Sequence, residues 1–355
     1  VVFGGTSPSL LSTSEEWNGA VSSIGKNISV PREGISRGGN TPAASSTMAT
    51  GGTTPSLTTV SEEYTYGVYY AGVWSAGGAT TIGRYVPGGA GNKDAALVIG
   101  GSTYPTVTSG VEAYNGSSWS SVNSLNTARG YNQGFGTQNA AVMAGGLTFS
   151  VTAVTEEYDG SSWSTVNSMI TGRGYSSSAG TQNAGFVAGG ESPSCVTCTE
   201  EYDGSTWSSG GSLPQTNNGL SSTGTQNAGI GVGGYAGAAP NNQTSLYNGT
   251  SWTAGQVLIT GRNWGSSFGT QNDAIYAGGS DKSCVENFNG IAWNVNTPRI
   301  VSIQRGGVAS GAGSTPASEG GLVFNGSSTP YSTATEEFNC PNPVNQGLYC
   351  FTKTL

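Results

Sequence analysis

The sequence contains no histidine, and this absence removes most of the common catalytic and metal-binding arrangements. Ser-His-Asp and Cys-His catalysis need an imidazole base, and protein copper sites rely on imidazole ligands. Cys195 and Cys198 form a Cys-x-x-Cys pair, but a zinc site would need a second ligand pair. We therefore expect no catalytic residue, no metal and no cofactor. Cys340 and Cys350, close together near the chain end, are the better candidates for a disulfide.

Charged residues are also scarce, and positive charge is the scarcer sign. The chain has 12 Lys and Arg against 20 Asp and Glu, which gives a formal net charge of −8. A nucleic-acid surface needs clustered Lys and Arg, and the four lysines here are scattered. No apolar run approaches the ~18 residues of a membrane span. We expect neither nucleic-acid binding nor a membrane span.

What the sequence does contain is an internal repeat, with 59 Gly, 8 Trp and 16 Tyr that recur in phase. The stretch Gly136–Gly146 (GTQNAAVMAGG) returns as Gly180–Gly190 (GTQNAGFVAGG). Each copy is followed by a variable stretch and then by Glu156–Trp163 (EEYDGSSW) or Glu200–Trp207 (EEYDGSTW). The period is about 44 residues, and regular spacing of this kind indicates a repeat architecture.

The repeat can be followed along nearly the whole chain, residues 1–355, which we interpret as a single domain. Gly pairs stand at 4–5, 51–52, 100–101, 145–146, 189–190, 233–234 and 278–279, with a degenerate eighth at 325–326. Units open near 37, 84, 129, 173, 213, 262 and 305, after a partial first unit at 1–30. The count predicts about eight units, with seven as the alternative.

The sequence of one unit predicts four short antiparallel strands. A mixed strand ends in the polar turn Gly-Thr-Gln-Asn, and the apolar run Ala140–Ala144 ends at a Gly pair. A third strand ends at Asp159-Gly160, and Trp163 opens a fourth. Four-stranded sheets at this period predict an all-β propeller in which stacked blades bury each other's faces. We expect terminal strands, with Leu348–Leu355 as the candidate, to close the ring.

An Arg start, an apolar run into Gly-Gly, then Tyr, a turn and Trp resembles the Kelch repeat. The sequence motifs Gly-Thr-Gln-Asn-Ala and Thr-Glu-Glu-Tyr-Asp-Gly-Ser-Ser-Trp further resemble a subtype found in marine bacteriophage and bacterial proteins. The resemblance implies that the Tyr and Trp of each unit pack between blades. The implied pairs are Tyr64 with Trp74, Tyr114 with Trp119, Tyr158 with Trp163, Tyr202 with Trp207, Tyr247 with Trp252, and Phe288 with Trp293.

Most charged residues belong to the repeat and not to a unique site. Twelve of the fifteen Glu lie on the third strand, and six of the eight Arg lie at unit starts. We interpret them as buried Arg–Glu pairs; an exposed charged ring with a ligand role is the alternative. Adjacent Glu156 and Glu157 point to opposite faces of a strand, so they cannot bracket one bond. The Asn115-Gly116-Ser117 type of segment is interpreted as a hairpin turn, with glycosylation as the alternative.

The stretch between the Gly pair and the third strand varies from unit to unit, and in a propeller these loops share a face with the connections between blades. Binding residues are often found on loops carried by a rigid scaffold. The candidate ligand-binding residues are Tyr104, Phe149, Tyr235, Tyr131, Tyr175 and Trp264, with packing as the alternative for each.

The sequence thus predicts a non-enzymatic binding or structural propeller. The resemblance favours a bacteriophage virion protein (tail fibre, receptor-binding or capsid-decorating) that contacts other virion proteins, or glycan or protein on the host surface. The alternative is a secreted or surface bacterial adhesion module that binds glycan.

Overall fold

The structure is a computed structural model whose elements are β-strands throughout the part of the chain that it describes. It describes residues 72–339 with gaps at 104, 132–133, 193–196, 237–239, 301–305, 310–316, 318–319 and 327–331, and outside this range only strand backbone. The chain divides into two compact units, Gly72–Cys340 and a second unit of Val1–Ala71 with Pro341–Leu355. In the described residues no helix has the length and hydropathy to cross a membrane.

The unit made of the two chain ends contains two antiparallel sheets. A three-stranded sheet has the order β1 (Val2–Phe3), β2 (Ser14–Trp17), β3 (Ser22–Ile24). The other sheet joins β4 (Ser36–Gly38), β5 (Ser46–Thr50) and β6 (Ser61–Gly67), and the last strand of the chain, β31 (Tyr349–Thr354), pairs with β6.

The larger unit is a β-propeller of six four-stranded antiparallel blades. Strand β7 (Val73–Ala76) comes first in the chain. Blade 1 follows with β8 (Gly88–Gly91), β9 (Ala96–Ile99), β10 (Val111–Tyr114) and β11 (Trp119–Val122). Blade 2 consists of β12 (Gly134–Thr137), β13 (Ala140–Ala144), β14 (Thr155–Tyr158) and β15 (Trp163–Val166). Blade 3 consists of β16 (Ser177–Thr181), β17 (Ala184–Ala188), β18 (Thr199–Tyr202) and β19 (Trp207–Ser209).

The remaining blades repeat this plan. Blade 4 consists of β20 (Ser221–Thr225), β21 (Ala228–Val232), β22 (Thr244–Tyr247) and β23 (Trp252–Ala254). Blade 5 consists of β24 (Ser266–Thr270), β25 (Asp273–Ala277), β26 (Val285–Phe288) and β27 (Trp293–Asn296). Blade 6 combines β28 (Gly307–Ala309), β29 (Gly321–Phe324) and β30 (Thr335–Asn339) with β7 as its outer strand.

The prediction of about eight blades, or seven, is wrong, because the propeller has six. The first strands of the blades contact one another in cyclic order, and β28 contacts β8 to complete the circle. The Gly pairs at 4–5 and 51–52 belong to the other unit. Closure also differs from the expectation, since β7 completes blade 6 while the C-terminal strand pairs with β6.

Five of the six expected aromatic pairs are confirmed, with ring centroids 4.7–5.2 Å apart in the Tyr–Trp and Phe–Trp pairs of blades 1 to 5. In the sixth expected pair, Tyr64 with Trp74, the Tyr64 side chain lies outside the described residues. Trp74 lies opposite Phe338 in the sheet register, and their rings are 5.0 Å apart. Trp74 packs on blade 6 because β7, the outer strand of that blade, comes from the chain segment before blade 1.

The buried Arg–Glu pairs are confirmed, and they anchor the connections between blades. Arg84 pairs with Glu112 at 2.6 Å, and both side chains are about 1% exposed. The other buried pairs in the described residues are Arg129–Glu156, Arg173–Glu200, Arg262–Glu286 and Arg299–Glu336. The same glutamates accept backbone N–H groups of the connection, as Glu156 does from Asn126 and Thr127. Each connection therefore approaches the propeller axis in a defined position.

Candidate functional site

The connections between blades and the variable loops lie on one face of the propeller, here called the loop face. In blades 1 to 4 an isolated bridge joins the connection to the first residue after the Gly pair: Tyr85 to Ser102, Gly130 to Leu147, Gly174 to Glu191, and Asn218 to Tyr235. The opposite face carries the short turns. There Asn115 and Asp159 accept the backbone N–H groups two and three residues on, so these segments are hairpin turns, as interpreted.

At the axis of the loop face, one residue from each of blades 1 to 5 forms a series that we call the axial belt. It consists of Val86, Tyr131, Tyr175, Gly219 and Trp264, each two residues after a buried Arg or, in blade 4, after Asn217. Backbone N–H groups donate along the series from Tyr131 to Val86 (3.0 Å), from Tyr175 to Tyr131 (2.6 Å), from Gly219 to Tyr175 (3.1 Å) and from Trp264 to Gly219 (2.9 Å). These bonds connect neighbouring blades at the axis.

The axial belt requires a left-handed backbone. The φ angles are 64° at Tyr131 and 58° at both Tyr175 and Trp264, close to the 62° of Gly219. A residue with a Cβ is strained in this region by about 1–2 kcal/mol, whereas Gly is not. Blade 4 shows that Gly meets the backbone requirement, yet blade 1 has Val86 there, with φ 47°, and blades 2, 3 and 5 have large aromatic residues.

These aromatic side chains contact one another in an aromatic cluster made of Tyr85, Tyr131, Tyr175 and Trp264. Successive ring centroids are 5.9, 5.2 and 5.4 Å apart, with planes inclined at 69–80°. This edge-to-face arrangement is the one that aromatic quadrupoles favour. All four side chains are half-buried. The indole of Trp264 lies over Gly219, where an added Cβ would come within 2.7 Å of it.

The cluster borders a cleft of about 30 Å³, whose other lining residues include Val86, Pro87, Ser176, Leu220 and Gly306. A volume of this size holds on the order of two water molecules. Beside it the first strands of blades 3, 4 and 5 are joined by buried serines, since Ser177 and Ser222 share a hydrogen bond of 2.6 Å and Ser221 and Ser267 one of 2.8 Å. A ligand larger than this cleft would therefore lie across the aromatic cluster.

A polar pair borders the cluster between blades 3 and 4. The Asn218 amide donates to the Glu191 carboxylate at 2.7 Å, and both groups are accessible. Burial, and then the neighbouring Tyr131 and Glu191, raise the pKa of the Tyr175 hydroxyl above its ordinary value. Tyr175 therefore keeps its proton and can donate a hydrogen bond.

The structure brings together three of the six candidate ligand-binding residues, Tyr131, Tyr175 and Trp264. Tyr235 is half-buried and bridges to Asn218, while Phe149 is fully exposed on the loop of blade 2. Tyr104 lies outside the described residues. Sequence reasoning missed Tyr85, Gly219, Glu191 and Asn218. Gly219 could have been found by aligning Asn217 with the unit-opening arginines, whereas Glu191 and Asn218 belong to no repeat.

The cysteines show no metal arrangement in the described part of the chain, where no three His, Cys, Asp or Glu residues could hold an ion. Cys198 is disulfide-bonded, and Cys284 is free and half-buried. The predicted Cys340–Cys350 disulfide lies outside the described residues. Comparison of the chain with protein-family models and with curated proteins finds no match.

Proposed function

We propose that this chain is a non-catalytic binding propeller of a bacteriophage virion that contacts glycan or protein through its loop face. The observation that carries the proposal is the contrast between the two faces. The turn face repeats the Gly-Thr-Gln-Asn turn in blades 2 to 5, whereas the loop face combines variable loops with a half-buried aromatic cluster. Diverse loops on a rigid scaffold are typical of binding surfaces.

The non-catalytic assignment is supported by what the repeated carboxylates do. In the Glu pairs whose side chains the structure describes, the first Glu is buried against an arginine, as Glu200 is against Arg173. The second accepts from the tyrosine of the next blade, as Glu157 does from Tyr202 at 2.9 Å. Carboxylates engaged in this way hold blades together, and they do not converge on a substrate cleft as acid–base catalysis requires.

The virion assignment rests on the sequence of the repeat, which resembles the Kelch-like subtype of marine bacteriophage and bacterial proteins. A tail-fibre, receptor-binding or capsid-decorating role fits a surface rich in Ser, Thr, Asn and Tyr and poor in charge. The second candidate, a secreted or surface bacterial adhesion module, draws on the same resemblance and the same loop face.

Mass spectrometry of phage particles, purified from the sample in which this sequence occurs, tests whether the chain is part of the virion. We expect many copies of the chain per particle. Its presence only in secreted or cell-surface fractions would replace the virion assignment with the adhesion module. Turnover of any polysaccharide by the purified protein would contradict the non-catalytic assignment.

A further inference from the structure

We infer that the aromatic cluster, with the Glu191–Asn218 pair at its border, is a binding site for an uncharged pyranose sugar. This inference rests on the proposed binding function and specifies the chemistry of its ligand. It goes beyond that function in naming the residues, the mode of contact and the class of sugar that is excluded.

The first argument is the backbone strain at the axial belt. Three aromatic residues hold φ near 60° where Gly219 holds the same conformation without strain. Strained positions of this kind cluster at functional sites. The first strands of blades 3, 4 and 5 are already joined by buried serine hydrogen bonds, Ser177 to Ser222 and Ser221 to Ser267.

The second argument is the shape of the site. The inclined rings of Tyr131, Tyr175 and Trp264 leave accessible aromatic surface around a cleft of about 30 Å³. This cleft is too small to enclose a sugar, so the ligand must lie on the rings. The C–H groups on one face of a pyranose carry partial positive charge and pack on the negative face of an aromatic ring.

The third argument is the polar border. Glu191 supplies carboxylate acceptors, Asn218 an amide donor and acceptor, and Tyr175 a protonated hydroxyl. A pyranose presents neighbouring hydroxyl groups that both donate and accept. A few polar groups beside an apolar surface are the usual means of orienting a small ligand.

Charge decides between classes of sugar. Every arginine in the described residues is buried against a glutamate, and none presents its guanidinium to a ligand. The nearest described lysine on this face, Lys282, follows Asp281 in the loop of blade 5, whereas Glu191 adds negative charge at the site. The carboxylate of a uronate or sialylated sugar would therefore be repelled by Glu191 and would find no guanidinium to bind it through two N–H groups.

The test is an NMR titration of the full chain labelled at the Trp indole nitrogen, with the Trp264 signal assigned by its loss in Trp264→Phe. Methyl β-D-glucopyranoside and methyl β-D-galactopyranoside are the neutral probes, glucuronate is the anionic probe, and tetramethylammonium tests a cation site. We expect at least one neutral glycoside to shift the Trp264 signal with a dissociation constant in the millimolar range. Glucuronate and tetramethylammonium should leave it unchanged.

Three variants locate the site. Tyr175→Ala should abolish the shift, and Gly219→Ala should weaken binding about tenfold because its Cβ displaces the indole without removing an aromatic group. Val73→Ala, an exposed position on the outer strand of blade 6, is the matched control and should bind as the unaltered protein does. The signals of the buried tryptophans report that each variant is folded.

A shift caused by tetramethylammonium, tighter binding of glucuronate, or no shift with either neutral glycoside would overturn the inference. These results leave the proposed function standing if the chain is found on particles. If a glycan array shows binding that Tyr175→Ala does not reduce, the loop face binds glycan elsewhere, and only the assignment of this site fails.

Discussion

At the scale of single residues, blade 4 shows how the protein treats buried charge. In the other blades an arginine and a glutamate are buried together, but blade 4 has Asn217 and Ser245 at the two positions. Asn217 donates to the Gly233 carbonyl at 2.8 Å and accepts from the Tyr235 N–H at 2.9 Å. Both charges are replaced together, which is expected because a single buried charge without its partner is costly.

This pattern predicts strong coupling in blade 2. Glu156→Ser alone should destabilise the protein by about 3–5 kcal/mol, because Arg129 would remain buried without its partner. Adding Arg129→Asn, which copies blade 4, should recover part of that loss. Urea unfolding of the wild type, both single variants and the double variant gives the coupling energy.

The exposed pair Lys93–Asp94 supplies the control for that cycle. Lys93→Ala should change stability by less than about 1 kcal/mol, because its pair with Asp94 at 2.8 Å is exposed to solvent. Additive effects of the Arg129 and Glu156 substitutions would contradict the coupling.

At the scale of elements, the third strand of each blade joins that blade to the next one. Trp207 donates to the Thr155 hydroxyl at 3.1 Å, while the Tyr202 hydroxyl donates to Glu157 of the same strand. Where the second Glu position holds Leu246 or Asn287, the next blade has Phe288 or Phe338 in place of tyrosine. At these two interfaces the residues vary together, whereas Tyr158 of blade 2 keeps its hydroxyl although Ala113 stands at the second Glu position of blade 1.

The interface between blades 1 and 2 lacks this threonine, because Val111 stands at its position. As a result the buried Trp163 indole N–H has no hydrogen-bond partner among the residues that the structure describes. We predict that Val111→Thr stabilises the protein by about 1 kcal/mol through the missing hydrogen bond. The midpoint of thermal unfolding measures the gain.

Val285→Thr in blade 5 is the matched control. The facing Trp74 already donates to the Thr297 carbonyl at 3.1 Å, so the new hydroxyl would gain no such partner. A similar gain in both variants would show that the Trp hydrogen bond is not its source.

At the scale of the whole molecule, the closing strand decides whether six blades form a complete circle. β7 pairs with β30 over four residues, and Trp74 packs on Phe338 and Phe268. Without β7, blade 6 would expose both this apolar surface and an unpaired strand edge, which promotes association.

We predict that a chain spanning Gly72–Cys340 is monomeric and unfolds cooperatively, whereas one spanning Gly77–Cys340 self-associates and unfolds at a lower temperature. Light scattering after size exclusion and thermal unfolding measure the two properties. Equal behaviour of the two chains would show that β7 is dispensable for closure.

The sequence by itself determined the blade: its four strands, its buried Arg–Glu pairs and, through the resemblance to the Kelch repeat, the aromatic pairs of blades 1 to 5. Each of these is a contact within one repeat or between neighbouring repeats, so spacing along the chain reports it. Only the tertiary structure decided the number of blades and the closure by β7. A repeat has the same sequence whether it joins the circle or a separate sheet, and an outer strand packs equally well whichever end of the chain supplies it. The same reason kept Glu191 and Asn218 hidden, because they meet only when blades 3 and 4 stand side by side.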